Sequence, residues 1–328
     1  MRINQLGNND IHLSVMGLGA WAIGGGGYKY GWGSQEDKDS IATIRRAVEL
    51  EINWIDTAPV YGGGHSEKVV GQAIKGIRDK VFISTKCGVK MAENQEDLVF
   101  SLKKESIRTE VEVSLKNLNT DVIDLYQIHI PEPEEDIEEA WNTLVELKKE
   151  GKIRFPGVSN FTLEMLQNIQ AIHQVAFIQP EYSILEPSIE EGMLDYCAKN
   201  NIGIISFSPM YRGLLTGKFT KERAESLPQD DNRLTLDYFH EPFLSENLKL
   251  VEKLRTIAER NNKTLPQLAI AWVLRRSEVT SAIVGARKPS QIEQTAPAGD
   301  WILSEKDKSE LDRILNEHHT MLKKLKGD

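Results

Sequence analysis

The chain has 328 residues, of which 40% are hydrophobic and 27% charged, a composition typical of a globular protein with a sizeable core. Its formal net charge is −9 with acids and bases interspersed, so we expect no nucleic-acid partner. Apolar runs such as 268–274 are too short to span a membrane, and no secretory signal begins the chain. We therefore predict a cytoplasmic protein without a membrane partner.

Strand-like apolar runs alternate with amphipathic helical patterns along almost the whole chain, as in α/β proteins. The predicted strands cover residues 15–18, 52–56, 81–86, 123–129, 153–158, 177–179, 203–207 and 282–284. The predicted helices cover residues 37–50, 66–74, 98–118, 137–150, 162–173, 189–200, 246–261, 265–275 and 305–317. Eight strand–helix units in this length predict a (β/α)8 TIM barrel, and a doubly wound sheet is the alternative.

Two segments lie outside this repeating pattern. Residues 2–14 contain two short polar–apolar runs around Gly7-Asn8-Asn9-Asp10, which predict a β-hairpin that covers the barrel bottom as a lid. Residues 209–245 follow the seventh predicted strand, so we expect a long loop at the C-terminal face that covers a cofactor or substrate. Because no linker or repeat interrupts the chain, we predict one domain over residues 1–328.

Two glycine motifs suggest nucleotide sites but lack the required context. Gly17 to Ala22 matches the Rossmann pattern G-x-G-x-x-A, yet the four glycines 24–27 follow where a helix must begin. We predict a loop there, with aromatic residues that could line a pocket: Trp21, Tyr28, Tyr30 and Trp32. The segment 213–218 is one residue too short for a P-loop and lacks Ser or Thr after Lys218, although that lysine could still contact a phosphate.

The two cysteines, Cys87 and Cys197, provide neither a disulfide framework nor a metal site, and we predict no metal. Cys87 follows Lys86, which could lower the pKa of the thiol. We favour the alternative that Cys87 is buried and inert.

Four reactive side chains lie at or just beyond the ends of three successive predicted strands. Asp56 ends one strand and Tyr61 lies in the following turn, whereas Lys86 and His129 end the next two strands. A strand that is buried on both faces should end in an acidic, basic or imidazole side chain only where that end faces a functional site. Because parallel strands bring these ends to one face, we expect the four side chains to be neighbours.

These four residue types can together form a proton donor that faces a carbonyl group. A phenol has a pKa of about 10, and we expect the Lys86 ammonium to lower that of Tyr61. A carboxylate at Asp56 would hold the lysine, and the His129 imidazole could bind a substrate oxygen. From spacing alone, the alternative is a structural Asp–Lys pair with an aromatic residue in a turn.

Several motifs resemble the aldo-keto reductase family, in its bacterial general form. Residues 54–62, Trp-Ile-Asp-Thr-Ala-Pro-Val-Tyr-Gly, followed by Ser66-Glu67, resemble the first family signature. Further similar segments follow in order along nearly the whole chain: Ser84-Thr85-Lys86, Gln127-Ile128-His129, 151–154, 157–161, 179–183, 206–210 and 283–288.

The resemblance implies a (β/α)8 barrel that binds NADPH in an extended form, with NADH possible but weaker. It implies the catalytic set Asp56, Tyr61, Lys86 and His129, and a substrate pocket of Trp21, Tyr28, Trp32, Tyr61 and His129. It also implies cofactor contacts from Gly19, Trp21, Asp56, Ser159, Asn160, Gln179, Phe207, Ser208, Pro209, Met210, Leu214, Lys218, Gly285, Arg287, Lys288, Gln291 and Thr295. Within that set, residues 159, 160 and 179 correspond to those that bind the nicotinamide carboxamide in the family, and residues 208–218 to the loop that covers the pyrophosphate. Residues 287, 288 and 291 correspond to those that bind the 2′-phosphate of the adenosine.

The chain departs from the family pattern at three places. Phe207 stands where a Tyr usually stacks on the nicotinamide, so the ring face is retained without the hydroxyl. Thr295 stands where an Asn usually contacts the adenine, and Phe155-Pro156 replaces two small or aliphatic residues. None of these departures affects the four catalytic positions.

The resemblance therefore predicts NADPH-dependent reduction of a small-molecule aldehyde or ketone, in a monomer or homo-oligomer. One alternative is a Schiff-base aldolase with Lys86 as nucleophile, in which the cofactor segments would have no role. Another alternative is a regulatory subunit that binds NADPH and a partner protein. The sequence does not identify the substrate.

Overall fold

The fold is described from a computed structural model that covers residues 1–26, 28, 31–92, 94, 97–228 and 231–326. The strands are β1 Ile3–Gln5, β2 His12–Ser14, β3 Met16–Gly19, β4 Trp54–Asp56, β5 Phe82–Cys87, β6 Val89–Met91, β7 Leu98–Phe100, β8 Ile123–Ile128, β9 Ile153–Ser159, β10 Phe177–Gln179, β11 Gly203–Ser206 and β12 Val279–Gly285. The α-helices are α1 Asp37–Glu49, α2 His65–Ala73, α3 Lys104–Leu118, α4 Ile137–Lys149, α5 Leu163–Ile172, α6 Met193–Lys199, α7 Lys221–Glu225, α8 Phe243–Arg260, α9 Leu265–Val273, α10 Pro289–Thr295 and α11 Glu305–Lys326.

Eight parallel strands close into a barrel in the order β3-β4-β5-β8-β9-β10-β11-β12, and β12 pairs back with β3. Their residues are almost all buried, because the barrel interior covers one face and the helices the other. The predicted (β/α)8 TIM barrel is therefore confirmed, and the doubly wound alternative is wrong. After β3 the chain forms a short 3-10 helix, Trp21–Gly24, rather than the α-helix that a Rossmann site requires.

The N-terminal hairpin β1–β2 covers the end of the barrel at which its strands begin. Leu6, Ile11 and Leu13 are buried in one cluster with residues from the lower barrel interior, including Trp54 and Phe177. These two rings occupy the space that a side chain would need at Gly17 and Gly157. The predicted lid is confirmed, and it leaves the opposite, C-terminal face as the open end.

Four predicted helices differ in their limits by three residues or more. Residues 98–100 form β7, which pairs with β6, and α3 begins only at Lys104. The prediction of helix over 98–103 was therefore wrong, because Val99 and Phe100 have side chains that favour strands. The predicted helix 189–200 is divided by Gly192 at φ 93°, so α6 begins at Met193. Helix α8 begins earlier than predicted, at Phe243, and α11 continues beyond residue 317 to Lys326.

The loop that follows β11 contains its own helical turns, Tyr211–Thr216, Lys221–Glu225, Asn232–Thr235 and Asp237–Phe239. Within the described ranges, none of the helices is long and apolar enough to cross a membrane. Both cysteines are buried, and burial raises the pKa of Cys87 well above its usual range and that of Cys197 to about 12. The prediction that Cys87 is buried is thus confirmed.

Candidate active site

A buried ion pair lies at the C-terminal end of the barrel interior. Lys86 Nζ in β5 donates to Asp56 Oδ2 in β4 at 2.7 Å and to the Thr57 carbonyl at 2.8 Å. Lys86 is 1% exposed and Asp56 3%. Burial lowers the pKa of Lys86, and the neighbouring Asp56 carboxylate opposes this effect. The pairing holds the ammonium at one position and compensates part of the cost of burying it.

The second carboxylate oxygen of Asp56 has its own donors. Ser84 Oγ donates to Asp56 Oδ1 at 3.0 Å, and Gln179 Nε2 donates to the same atom at 2.8 Å. Gln127 Nε2 lies 3.2 Å from Ser84 Oγ and 3.5 Å from Asp56 Oδ1. Sequence reasoning did not assign Ser84 or Gln127 to the site. Each precedes a predicted site residue by two positions, and alternate residues of a strand point to the same face.

The rings of Tyr61 and His129 lie above this pair. Their centroids are 5.9 Å apart at an interplanar angle of 81°, and Lys86 Nζ lies 5.1 Å from the Tyr61 centroid. The expectation that Asp56, Tyr61, Lys86 and His129 are neighbours is therefore confirmed. The Nδ1 atom of His129 is buried without a hydrogen-bond partner among the described residues.

The protonation of these two rings follows from their burial. Burial, and secondarily the Asp56 carboxylate, raises the pKa of Tyr61 well above its ordinary value. The pKa of Tyr61 is therefore raised, not lowered as expected, because burial outweighs any effect of the Lys86 ammonium, which is itself paired with Asp56. Burial, and secondarily the Lys86 charge, lowers the pKa of His129 well below its ordinary value. Near neutral pH, Tyr61 is therefore a protonated phenol and His129 a neutral imidazole.

Aromatic residues of the loop after β3 extend the site. Trp21 stacks on Tyr61 with centroids 6.1 Å apart, and Trp32 meets Trp21 edge-on at 5.4 Å. Tyr28 lines an adjacent cavity of about 710 Å³ together with Gly24, Gly25, Gln35, Gly62, His65 and Met91. Gly62 in the cavity lining adjoins Tyr61, so Tyr28 lies near the site through this cavity, whereas Trp21 contacts Tyr61 directly and Trp32 contacts Trp21. Tyr30 lies outside the described residues.

The ends of β9 and β10 join the site through hydrogen bonds. Ser159 Oγ donates to the Gln179 carbonyl at 2.8 Å. Asn160 Nδ2 donates to the His129 carbonyl at 2.8 Å and to Ser159 Oγ at 3.1 Å. The three predicted carboxamide residues therefore lie together, next to His129 and Asp56.

The loop after β11 has an unusual backbone that could bind an anion. Ser208, Tyr211, Arg212, Gly213 and Gly217 all have positive φ, between 44° and 94°. Such left-handed residues within a turn direct successive N–H groups towards one concave surface, as in known phosphate sites. Of the residues expected here, Pro209 and Leu214 are buried, Phe207, Ser208 and Met210 are partly buried, and Lys218 is exposed.

The segment after β12 carries two cations, the partly buried Arg287 and the exposed Lys288. Gln291 Oε1 accepts from the backbone N–H of Arg287 at 2.7 Å and of Lys288 at 3.2 Å. Thr295 is buried, and its hydroxyl donates to backbone carbonyls of its own helix, 3.1 Å from that of Gln291. Gly285 is exposed at the end of β12, beside the buried Gly19 of β3.

These residues fit an extended dinucleotide. The Ser206 hydroxyl is buried without a partner among the described residues, at the end of β11 where Phe207 presents part of its ring. The left-handed turn follows it, and the two cations lie at the end of the neighbouring strand β12. An aromatic face, a backbone anion site and a cationic end are the chemical features that the two rings and the phosphates of such a cofactor require.

Comparisons with known proteins agree with this arrangement. A family model described as "Aldo/keto reductase family" matches residues 15–316. The chain belongs to the aldo/keto reductase family. It is 40% identical to Aldo-keto reductase YhdN of Bacillus subtilis, with 96% of this chain and 94% of the relative covered. It is 37% identical to the NADH-specific methylglyoxal reductase of Escherichia coli, with 94% and 96% covered.

Among solved structures, the glycerol dehydrogenase AKR11B4 from Gluconobacter oxydans is similar, with a TM-score of 0.87 and 36% identity. The match covers 96% of this chain and 95% of that one. Membership of the aldo/keto reductase family makes this chain an oxidoreductase that acts on carbonyl groups with a nicotinamide cofactor. The predicted family is therefore confirmed.

Proposed function

We propose that this chain, as a single domain, reduces an aldehyde or ketone to the alcohol with NADPH, and that Tyr61 donates the proton. The observation that carries the proposal is the buried Asp56–Lys86 pair, 2.7 Å apart, beneath the Tyr61 and His129 rings. A structural ion pair alone would not require a phenol and an imidazole above it at the open end of the barrel.

Each of the four side chains has a distinct role in this proposal. The Tyr61 phenol, kept protonated by burial, gives its proton to the carbonyl oxygen. The neutral His129 imidazole binds that oxygen and orients it. Lys86 stabilises the phenolate that remains, because its ammonium lies 5.1 Å from the ring centroid. Asp56 holds Lys86 in this position. The nicotinamide cofactor, when bound, supplies the hydride.

Further residues would hold the cofactor along the C-terminal face. Ser159, Asn160 and Gln179 would orient the carboxamide, and Phe207 would stack on the nicotinamide ring. The left-handed turn at 208–217 would bind the pyrophosphate through backbone N–H groups. Arg287 would bind the 2′-phosphate by charge-assisted hydrogen bonds, which favours NADPH over NADH. Because a relative with 37% identity is named NADH-specific, the preference between NADPH and NADH is the first property to measure.

The geometry does not favour the two alternatives. A Schiff-base lysine needs an uncharged amine, whereas Lys86 Nζ is held by a carboxylate and a carbonyl. A purely regulatory NADPH-binding subunit would have no use for a proton donor beside the cofactor residues.

Single-turnover kinetics test the proposal against both alternatives. Protein loaded with one equivalent of NADPH should lose its absorbance at the dihydronicotinamide band when an aldehyde is added. A regulatory subunit would bind NADPH without this loss, and an aldolase would consume substrate without NADPH. A panel of aldehydes, ketones and sugars in the same assay would then define the substrate class.

A further inference from the structure

Arg287 is held by a loop that lies 252 residues away in sequence. Its Nε donates to Gln35 Oε1 at 2.8 Å, its Nη1 donates to the Trp32 carbonyl at 3.1 Å, and its Nη2 donates to the Ser34 carbonyl. Gln35 also binds the backbone of Arg287, since its Nε2 donates to the Arg287 carbonyl at 2.9 Å. One side chain therefore holds both the guanidinium and the main chain of this residue.

Gln35 is itself anchored to the first turn of α1. Its Nε2 also donates to Ser40 Oγ at 3.0 Å, and Ser40 is fully buried in the first turns of α1. The neighbouring Trp32 ring contacts the Arg233 guanidinium at 5.1 Å, which connects the same loop to the segment after β11. Gln35 is thus held by α1, and together with the Trp32 and Ser34 carbonyls it orients the Arg287 guanidinium.

A guanidinium has five N–H donors, and this network uses three of them on three uncharged oxygens. One donor on Nη1 and one on Nη2 remain for a phosphate, and the three acceptors are neutral, so within the described part of the chain these bonds leave the positive charge available to an anion. An acidic residue in place of Gln35 would instead neutralise Arg287 and repel a dianionic phosphate. The uncharged amide is therefore the feature of position 35 that matters for an anion.

We propose that Gln35 is a specificity-determining residue, which positions Arg287 for the 2′-phosphate and keeps its charge available, so that cofactor preference depends on it. This inference rests on the proposed role of Arg287 in NADPH binding. It adds a residue from the loop after β3 to a phosphate site that otherwise belongs to the segment after β12.

The experiment measures Kd of NADP⁺ and NAD⁺ by isothermal titration calorimetry, without turnover. Gln35→Glu keeps the size of the side chain and adds one negative charge, and Gln35→Met removes the hydrogen bonds without adding charge. Gln167→Glu, at an exposed position of α5, is the matched control for net charge. Arg287→Ala tests the 2′-phosphate assignment itself. Circular dichroism establishes that each variant is folded.

We expect Gln35→Glu to weaken NADP⁺ binding about tenfold or more, because like charges at a binding site are strongly unfavourable. Gln35→Met should weaken NADP⁺ binding about threefold, since only the positioning of Arg287 is lost. If Gln35→Glu does not fold, the result for Gln35→Met alone tests the role of Gln35. NAD⁺ affinity should not change in either variant, and Gln167→Glu should bind both cofactors like the wild type.

Two failures can be distinguished. If Arg287→Ala selectively weakens NADP⁺ while both Gln35 variants bind it like the wild type, the role of Gln35 is refuted and the proposed function stands. If Arg287→Ala weakens both cofactors equally or neither, the 2′-phosphate assignment is refuted, and the role of Gln35 with it.

Discussion

Gln179 Nε2 donates a hydrogen bond of 2.8 Å to Asp56 Oδ1, and this bond joins β10 to β4 across the barrel interior. Both residues are almost completely buried. Gln179 belongs to the group that we expect at the nicotinamide carboxamide, and Asp56 holds Lys86 beneath Tyr61. The proposed nicotinamide-binding site and the lysine beneath the proposed proton donor are therefore parts of one hydrogen-bonded network.

Tyr61→Phe should nearly abolish carbonyl reduction and leave cofactor binding intact. The phenol acts only in proton transfer, and general acids typically contribute about 10²–10⁴-fold to the rate. Steady-state kcat for an aldehyde and fluorescence titration of NADPH measure the two quantities. Tyr196→Phe, on α6, removes a hydroxyl far from the site and serves as the control. If Tyr61→Phe kept more than half of the wild-type kcat, Tyr61 would not be the donor.

Lys86→Met should reduce turnover strongly and shift the pH dependence of the residual activity. The Asp56 carboxylate already raises the pKa of Tyr61, and without the ammonium its charge would act on the phenol uncompensated. The upper limb of the pH–rate profile for reduction should therefore move to higher pH. A profile at the wild-type position would contradict the coupling between Lys86 and Tyr61.

The same substitution should also destabilise the fold, by about 3–5 kcal/mol, because it leaves a buried carboxylate without its partner. The double variant Asp56→Asn with Lys86→Met removes that charge and should recover much of the lost stability in urea unfolding. It should remain inactive. Recovery of activity together with stability would mean that the pair is only structural.

Much of this architecture could be predicted from the sequence, because a barrel strand is a short apolar run and its C-terminal end opens onto the site. Asp56, Lys86 and His129 interrupt three such runs, and this signal is local. The hydrogen bonds between Gln35 and Arg287 have no local signal in the sequence, since the two residues lie 252 positions apart. The direction of the pKa shift of Tyr61 depends on burial, which only tertiary packing determines. The pairing of residues 98–100 with β6 is likewise absent from the local pattern, since a short apolar run fits a helix or a strand.

Phe207→Ala should weaken NADPH and NADH alike, by roughly three- to tenfold, because aromatic stacking contributes about 0.5–1.5 kcal/mol beyond burial. The loss of affinity should be equal because both cofactors carry the same nicotinamide. Arg287→Ala, in contrast, should weaken NADPH alone. Phe207→Tyr should retain affinity, since it keeps the ring face. Phe207 also packs partly against the lower barrel cluster, so each variant must first be shown to be folded. Unchanged affinity in folded Phe207→Ala would place the nicotinamide elsewhere.

His318→Gln should reduce the loss of stability on mild acidification. His318 Nε2 lies 3.0 Å from Asn247 Oδ1, and Asn247 Nδ2 donates to the Tyr238 carbonyl, so α11 is anchored to α8 through a neutral imidazole. Burial, with smaller effects of His319 and Lys253, lowers the pKa of His318 from 6.5 to about 4, and Glu246 opposes this shift.

Between these two pKa values the unfolded chain binds a proton at His318 that the folded protein does not bind. The stability associated with the neutral imidazole is therefore complete above pH 6.5 and is lost as the pH falls towards 4. From pH 7 to pH 5 this residue should account for about 2 kcal/mol of lost unfolding free energy. Urea unfolding at both pH values should show a correspondingly smaller loss in His318→Gln than in the wild type. His12→Gln, at an exposed position of β2, should lose as much as the wild type. An equal loss in His318→Gln and the wild type would mean that His318 is not the group that titrates.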